Sequence, residues 1–330
     1  MTKGLGRFEY YLIQLDDLLL KASRSENAAL YLYENDARTK FFMLQGLARL
    51  YASFHNKKRF TLHKDLYKQI EDALGAIDYF DSYAKELLDD ASMPVSLRIY
   101  MEEKKAEHVA ILNAILIKRK WINHDPMRTK KIRKKLKTAK WLKPQNELVL
   151  LHQFYKDAIS EINSFYKETG ETFTDIELQV HSLRRKLRWL SIYPQAMQGA
   201  IQLVKTKSTD ASVKKYLTQK IVKSPYNKLP LPGNNPQVLQ LDQQYFFALS
   251  FMIAALGDLK DEGLKVVAIA DAIHHTQAVD QNIALKRAYK LCKMPNNNLQ
   301  NIMNNAKTLC SAYFEGQYLE KLVIGVATIA

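Results

Sequence analysis

Apolar residues recur at three- and four-residue intervals along nearly all of this 330-residue chain, a spacing that makes amphipathic helices and little else. Residues 8–22, 26–54, 63–90 and 96–120 each carry one apolar face, as do 146–168, 174–206, 239–261, 263–292 and 296–322. The polar stretch 55–62 reads as a connection and NHDP at 123–126 as a turn. Only 207–238, which contains SPYNKLPLPGNNPQ, reads as a long Pro-rich loop, and no segment alternates as a strand would. The expected fold is all-α, with two helical bundles of about four helices each. Lys143–Pro144 is the expected break, giving residues 1–145 and 146–330 as the halves.

The halves share two motifs. NDARTKFFMLQGLARL at 35–50 aligns with HSLRRKLRWLSIYPQA at 181–196, so that Arg38 falls on Arg184 and Lys40 on Lys186. DALGAIDYFD at 72–81 aligns with AALGDLKDEG at 254–263, which sets Gly75 on Gly257. The two offsets differ by about the length of the Pro-rich loop. An internal repeat with a pseudo-twofold is therefore expected.

Charge is the unusual part of the composition. Forty-nine Lys and Arg stand against 34 Asp and Glu, a net of +15. Between Lys118 and Lys143 there are twelve Lys or Arg and one acid, Asp125, so this segment holds +11 of that charge. Such a field attracts polyanions. Residues 127–142 place Ile132, Leu136, Ala139 and Leu142 on one face amid Lys and Arg. That pattern predicts a short helix docked on the protein, with a membrane surface as the rival and Trp141 as its sole interfacial aromatic.

The second concentration of charge lies in 174–206. Leu183, Leu187 and Leu190 form a core-facing stripe, while His181, Arg184, Arg185 and Arg188 share an arc of about 100° on the other side. No acid lies between Arg184 and Lys207. Like charges at these spacings repel, which suits a surface that meets an external anion; a solvated basic face fits the pattern as well.

A His followed by Arg at +3 and more Arg a turn later, with Leu-Gly-x-x-x-Asp downstream, resembles the CHAD family, the conserved histidine α-helical domain. His181, Arg184 and Arg188 supply the first motif, and Leu256-Gly257 with Asp261 the second. In the first half Asn35 stands at the histidine position, Phe42 stands in the turn that should carry Arg, and Asp78 follows Leu74-Gly75 one residue early. The resemblance implies two similar bundles and a non-enzymatic domain that binds inorganic polyphosphate or a related polyanion. The candidate polyanion site is His181, Arg184, Arg185 and Arg188, with Arg38 and Lys40 from the first half and Lys130, Lys131, Arg133 and Lys134 adding attraction. Glu34, Asp72, Asp78 and Asp261 are candidate internal partners for these arginines.

Catalytic signatures are missing. There is no P-loop, no GxGxxG after a strand, no His-Glu-x-x-His and no Cys-x-x-Cys. No cofactor and no metal are expected, and His274-His275 diverge by about 100° on a helix. Cys292 and Cys310 read as reduced thiols, and the N-terminus lacks a cleavage site. A cytoplasmic protein without stable membrane insertion is expected. An RNA- or DNA-binding protein using 118–143, and a helical interaction module with no anion site, are the alternative readings.

Overall fold

The computed structural model describes residues 3–122, 127–206, 210–294 and 299–328. The expected turn at 123–126 lies outside them. The fold is all-α in its bulk, with one small sheet. In chain order the helices are α1 Lys3–Ala22, α2 Ala28–Glu34, α3 Ala37–Phe54, α4 Lys57–Asp89, α5 Val95–Lys118 and α6 Met127–Lys137. They continue with α7 Pro144–Glu168, α8 Ser182–Ala196, the single turn α9 Gln219–Val222, α10 Gln243–Gln277, α11 Gln281–Leu291 and α12 Leu299–Glu315. Strands β1 Ile201–Val204, β2 Gln237–Asp242 and β3 Val323–Thr328 complete the chain.

Two compact units divide it. Unit 1 is Met1–Leu142 with Ala268–Leu291, and unit 2 is Lys143–Val267 with Cys292–Ala330. The end of α10 and all of α11 thus group with the N-terminal helices, although they follow the second half in sequence. In unit 1, α4 packs against both α3 and α5, and α1 packs against α3 and α6. Phe8, Phe41, Tyr51, Phe60, Tyr67 and Trp121 are fully buried there.

Several boundaries follow from capping. The periodic run 26–54 is two helices, because Asp36 takes a left-handed backbone (φ 53°) between them. Residues 55–62 are not a connection: Asn56 accepts from the Arg59 N–H at 2.9 Å and starts α4 at Lys57. Asp175 likewise accepts from the N–H groups of Glu177 and Leu178, and a π-helical turn, Ile176–His181, leads into α8. α10 runs unbroken through Gly263, where a periodicity break was expected. Within the Pro-rich stretch, 3₁₀ turns occupy Ala211–Tyr216 and Pro225–Asn227.

In unit 2, α7 packs against α8 and against β2 and β3. β1 pairs in parallel with β2, and β2 pairs antiparallel with β3. These strands correct the helical expectation for 201–204 and for 239–242. Leu183, Leu187 and Leu190 of α8 are buried as their spacing predicted. Pro194 sits inside α8 and cannot donate to the Leu190 carbonyl. The buried hydroxyl of Tyr155 on α7 donates to that carbonyl instead, at 3.0 Å. Tyr155→Phe should therefore cost about 1–2 kcal/mol by orphaning a buried acceptor, measured by denaturant unfolding. An unchanged midpoint would show the carbonyl satisfied otherwise.

Candidate functional site

The arginine stripe is largely engaged inside its own unit. Arg184 is half-buried, lies over Gly257 of α10 and donates Nε–H to the Ile253 carbonyl at 3.0 Å. A Cβ on Gly257 would come within 3.0 Å of Arg184 Nε, so the glycine makes room for the guanidinium. Burial lowers the Arg184 pKa, while the Asp261 and Asp258 carboxylates oppose that and hold the charge. His181 has Glu177 Oε2 at 3.2 Å from Nδ1. Burial lowers its pKa; Glu177 pulls the other way, and Lys260, Arg185 and Arg184 lower it further. Arg188 is half-buried and Arg185 exposed. The aligned Lys186 is paired with Glu161 at 2.5 Å.

Unit 1 repeats the arrangement with more compensation. Arg38 lies over Gly75 of α4 and bonds Glu71 at 2.9 Å and Asp78 at 2.8 Å. Its charge is neutralised twice over. Lys40 has Asp36 at 3.5 Å, one helical turn back. Asp78 and Asp261, expected as internal partners, are thus placed by their arginines; Asp72 instead bonds Lys68. The first-half residues, Arg38 and Lys40, belong to unit 1 and the stripe to unit 2.

The basic segment is docked, as its spacing predicted, although the helix ends at Lys137 rather than 142. Ile132 and Leu136 are 2% and 0% exposed. Arg133 holds the helix to α1 through Glu9 (2.8 Å) and Asp16 (2.5 Å). Its guanidinium is engaged on that face rather than offered to a ligand. Trp141 is part of an aromatic cluster with Tyr51 (centroids 5.1 Å) and Phe60 (5.7 Å). Its indole N–H donates to the Leu136 carbonyl at 3.0 Å. Apolar residues held this way are not presented to a lipid surface. No helix among the described residues is long and apolar enough to cross a membrane.

Docking α6 beside the first half of α4 creates a groove of about 1180 Å³. Leu62, Leu66 and Ile132 give it an apolar lining, and among the described residues eight Lys or Arg line it against two Asp. α4 supplies Lys58, Arg59 and Lys68, the end of α5 supplies Arg119, and α6 supplies Arg128, Lys131, Lys134 and Lys135. Among the described residues Lys68 is the one that meets an acid, Asp72, at 2.6 Å. Lys58, Lys131, Lys134 and Lys135 make no ion pair among the described residues. Of the residues expected to add attraction, Lys131 and Lys134 line this groove, whereas Lys130 and Arg133 do not.

Two local features reflect how crowded the positive charge of the groove is. The first turn of α4, Lys57-Lys58-Arg59, contains no acid, so cations sit at the positive end of the helix dipole. Burial, and then the neighbouring Arg119, lower the Arg128 pKa. Arg59 spans the gap by donating to the Lys135 carbonyl at 3.1 Å, one of the last carbonyls of α6. Sequence reasoning missed Lys58, Arg59, Lys68, Arg119, Arg128 and Lys135 as site residues. The legible signal was Asn56 as a cap ahead of three consecutive cations.

His63 lines the same groove and is 4% exposed. Burial, then the charges of Lys135 and Arg59, push its pKa down to about 4. The unfolded chain therefore takes up this proton first, near pH 6.5. Stability from the neutral ring is present above that pH and is lost as pH falls toward 4, by about 3 kcal/mol. Denaturant unfolding between pH 7 and pH 4 should show a shallower loss for His63→Gln than for the parent; identical slopes would contradict the assignment.

No protein-family model matches the chain, and no curated protein matches it by sequence. No cluster of His, Cys, Asp and Glu suited to a metal ion exists among the described residues. His274 and His275 each bond a main-chain carbonyl, those of Val279 and Asp271.

Proposed function

We propose that the protein is a non-enzymatic helical domain that binds a phosphate-rich polyanion, with inorganic polyphosphate the preferred ligand, in the groove between α4 and α6. The observation that carries this reading is the concentration of eight cations against two acids, among the described residues, on one concave surface. Arginine forks and lysine point charges both suit phosphate oxygens. The arginine stripe of α8, the site the sequence pattern favoured, is placed second because Arg184 is half-buried with carboxylates close by.

Parallel geometry supports the CHAD resemblance and the internal duplication. Arg38 on Gly75 and Arg184 on Gly257 are the pairs that the two sequence alignments match. Each glycine leaves room for an arginine from the preceding basic helix of its own unit.

Nucleic acid is the runner-up. None of the residues lining the groove is Phe, Tyr or Trp, so single-stranded bases find no stacking platform there. A helical interaction module without an anion site is favoured by one observation, the double carboxylate pairing of Arg38. Binding of long polyphosphate, RNA, heparin and anionic liposomes, compared at matched salt, separates the three. The proposal requires polyphosphate to bind most tightly and its affinity to fall steeply between about 0.05 and 0.2 M salt. Equal binding of RNA would favour the second reading. Absence of binding to all four would favour the third.

A further inference from the structure

Among the polar side chains that line the groove, His63 is the one with a buried atom lacking a hydrogen-bond partner among the described residues. His63 projects from α4, where its ring stacks on Tyr67 (centroids 6.2 Å, planes 19° apart) and lies beside Phe60. Its Nε2 is buried and has no hydrogen-bond partner. A buried, unmatched ring nitrogen is costly in a folded protein, and a bound ligand is one way to satisfy it. The ring packs against two aromatic neighbours, which positions a hydrogen-bonding group beside the lysines and arginines of the groove.

We propose that His63 Nε2 is the hydrogen-bonding subsite for one phosphoryl oxygen of the polyanion, and that the polyanion binds with uptake of a proton by this imidazole. The inference rests on the groove being the polyanion site. A phosphoryl oxygen is an acceptor, so Nε2 must carry hydrogen when the ligand is bound, and the negative charge beside the ring favours the doubly protonated imidazolium over the neutral Nε2–H tautomer. In the free protein the surrounding charge opposes a second ring proton. Arg59 and Lys68 on α4, Lys131 and Lys135 on α6 and Arg119 at the end of α5 line the same groove, with Asp65 the nearest acid in sequence. A bound polyanion reverses that balance: it neutralises the cations and places negative charge against the ring. Proton binding and ligand binding are then linked, each strengthening the other.

This linkage gives the groove a selectivity that lysines alone lack. Sulfate esters and phosphodiesters in a flexible chain meet the lysines equally well. The fixed donor favours a ligand whose oxygens can come close to a recessed ring, which a bare linear phosphate chain does better than one carrying sugars.

The test measures the affinity of long polyphosphate for the full chain between pH 5.5 and 8, in the parent and in His63→Gln. Calorimetry in buffers of different ionisation enthalpy counts the protons taken up. The parent should bind at least threefold more tightly at pH 5.5 than at pH 7.5. The variant should bind more weakly and with a flatter pH profile, and the parent should take up more protons than the variant. Histidine-selective NMR of the parent gives an independent reading: one buried ring should gain a proton on addition of polyphosphate at pH 6. Equal pH profiles in parent and variant, or no ring protonated on binding, overturn the His63 subsite while leaving the groove reading intact. A parent that fails to bind polyphosphate at any pH overturns both.

Discussion

Replacing Lys131, Lys134 and Lys135 together by Ala should weaken polyphosphate binding about tenfold at moderate salt. All three line the groove and none meets an acid among the described residues, so their charge is available to a ligand. Each is exposed, which keeps the contribution of any one to about 0.5 kcal/mol. Three such losses amount to roughly 1.5 kcal/mol, or about a factor of ten. The dependence of log affinity on log salt should also become shallower, by about 2 for three lost contacts to a single-stranded polyanion. Helix α6 should survive, because the residues that dock it are Ile132, Arg133 and Leu136. A matched variant that removes Lys214, Lys220 and Lys223, three exposed lysines of unit 2, controls for net charge. If both triple variants lose affinity equally, the ligand is responding to overall charge and not to the groove.

Leu136→Ala should be the more damaging change to the fold. Leu136 is fully buried, and its backbone carbonyl accepts the Trp141 indole N–H. Truncation in a packed interior costs about 2–5 kcal/mol, the lost transfer energy plus the cavity left behind. α6 has only one other buried apolar anchor, Ile132, so the loss falls on a short, highly charged helix that cannot stay docked through charge alone. Unfolding by denaturant should show the lower midpoint. Polyphosphate affinity should fall in parallel, since α6 is one wall of the groove. A stable variant that binds normally would separate the groove from α6.

The long helices were legible because periodicity accumulates with length. Over α4 and over α7, at 33 and 25 residues, an apolar stripe is hard to mistake. Punctuation was not. One left-handed Asp36 splits 26–54, and nothing in the spacing of apolar residues marks it. The strands are only four to six residues long, and β2 does not alternate, since Val238-Leu239 and Leu241-Asp242 are buried as adjacent pairs. A period of two cannot be read from such segments.

The candidate site was legible in part for a similar reason. Arg184 and Arg38 stood out through their spacing, yet a helical wheel shows only which side of a helix a residue takes. It does not show that Gly257 or Gly75 receives the guanidinium. The groove joins Lys58 and Arg59 to Lys131 and Lys135, more than 70 residues onward, so no local pattern announces it. What the sequence did carry was the density of charge at 118–143 and the apolar pair Ile132 and Leu136 that seats it.

The central claim concerns where the polyanion lies. Hydrogen–deuterium exchange of the full chain, with and without long polyphosphate, reads that directly. The account predicts slower exchange on binding in the first four turns of α4 and throughout α6, with the α8 segment 182–196 unchanged. Protection confined to α8, or no change in α4 and α6 under saturating polyphosphate, would contradict it.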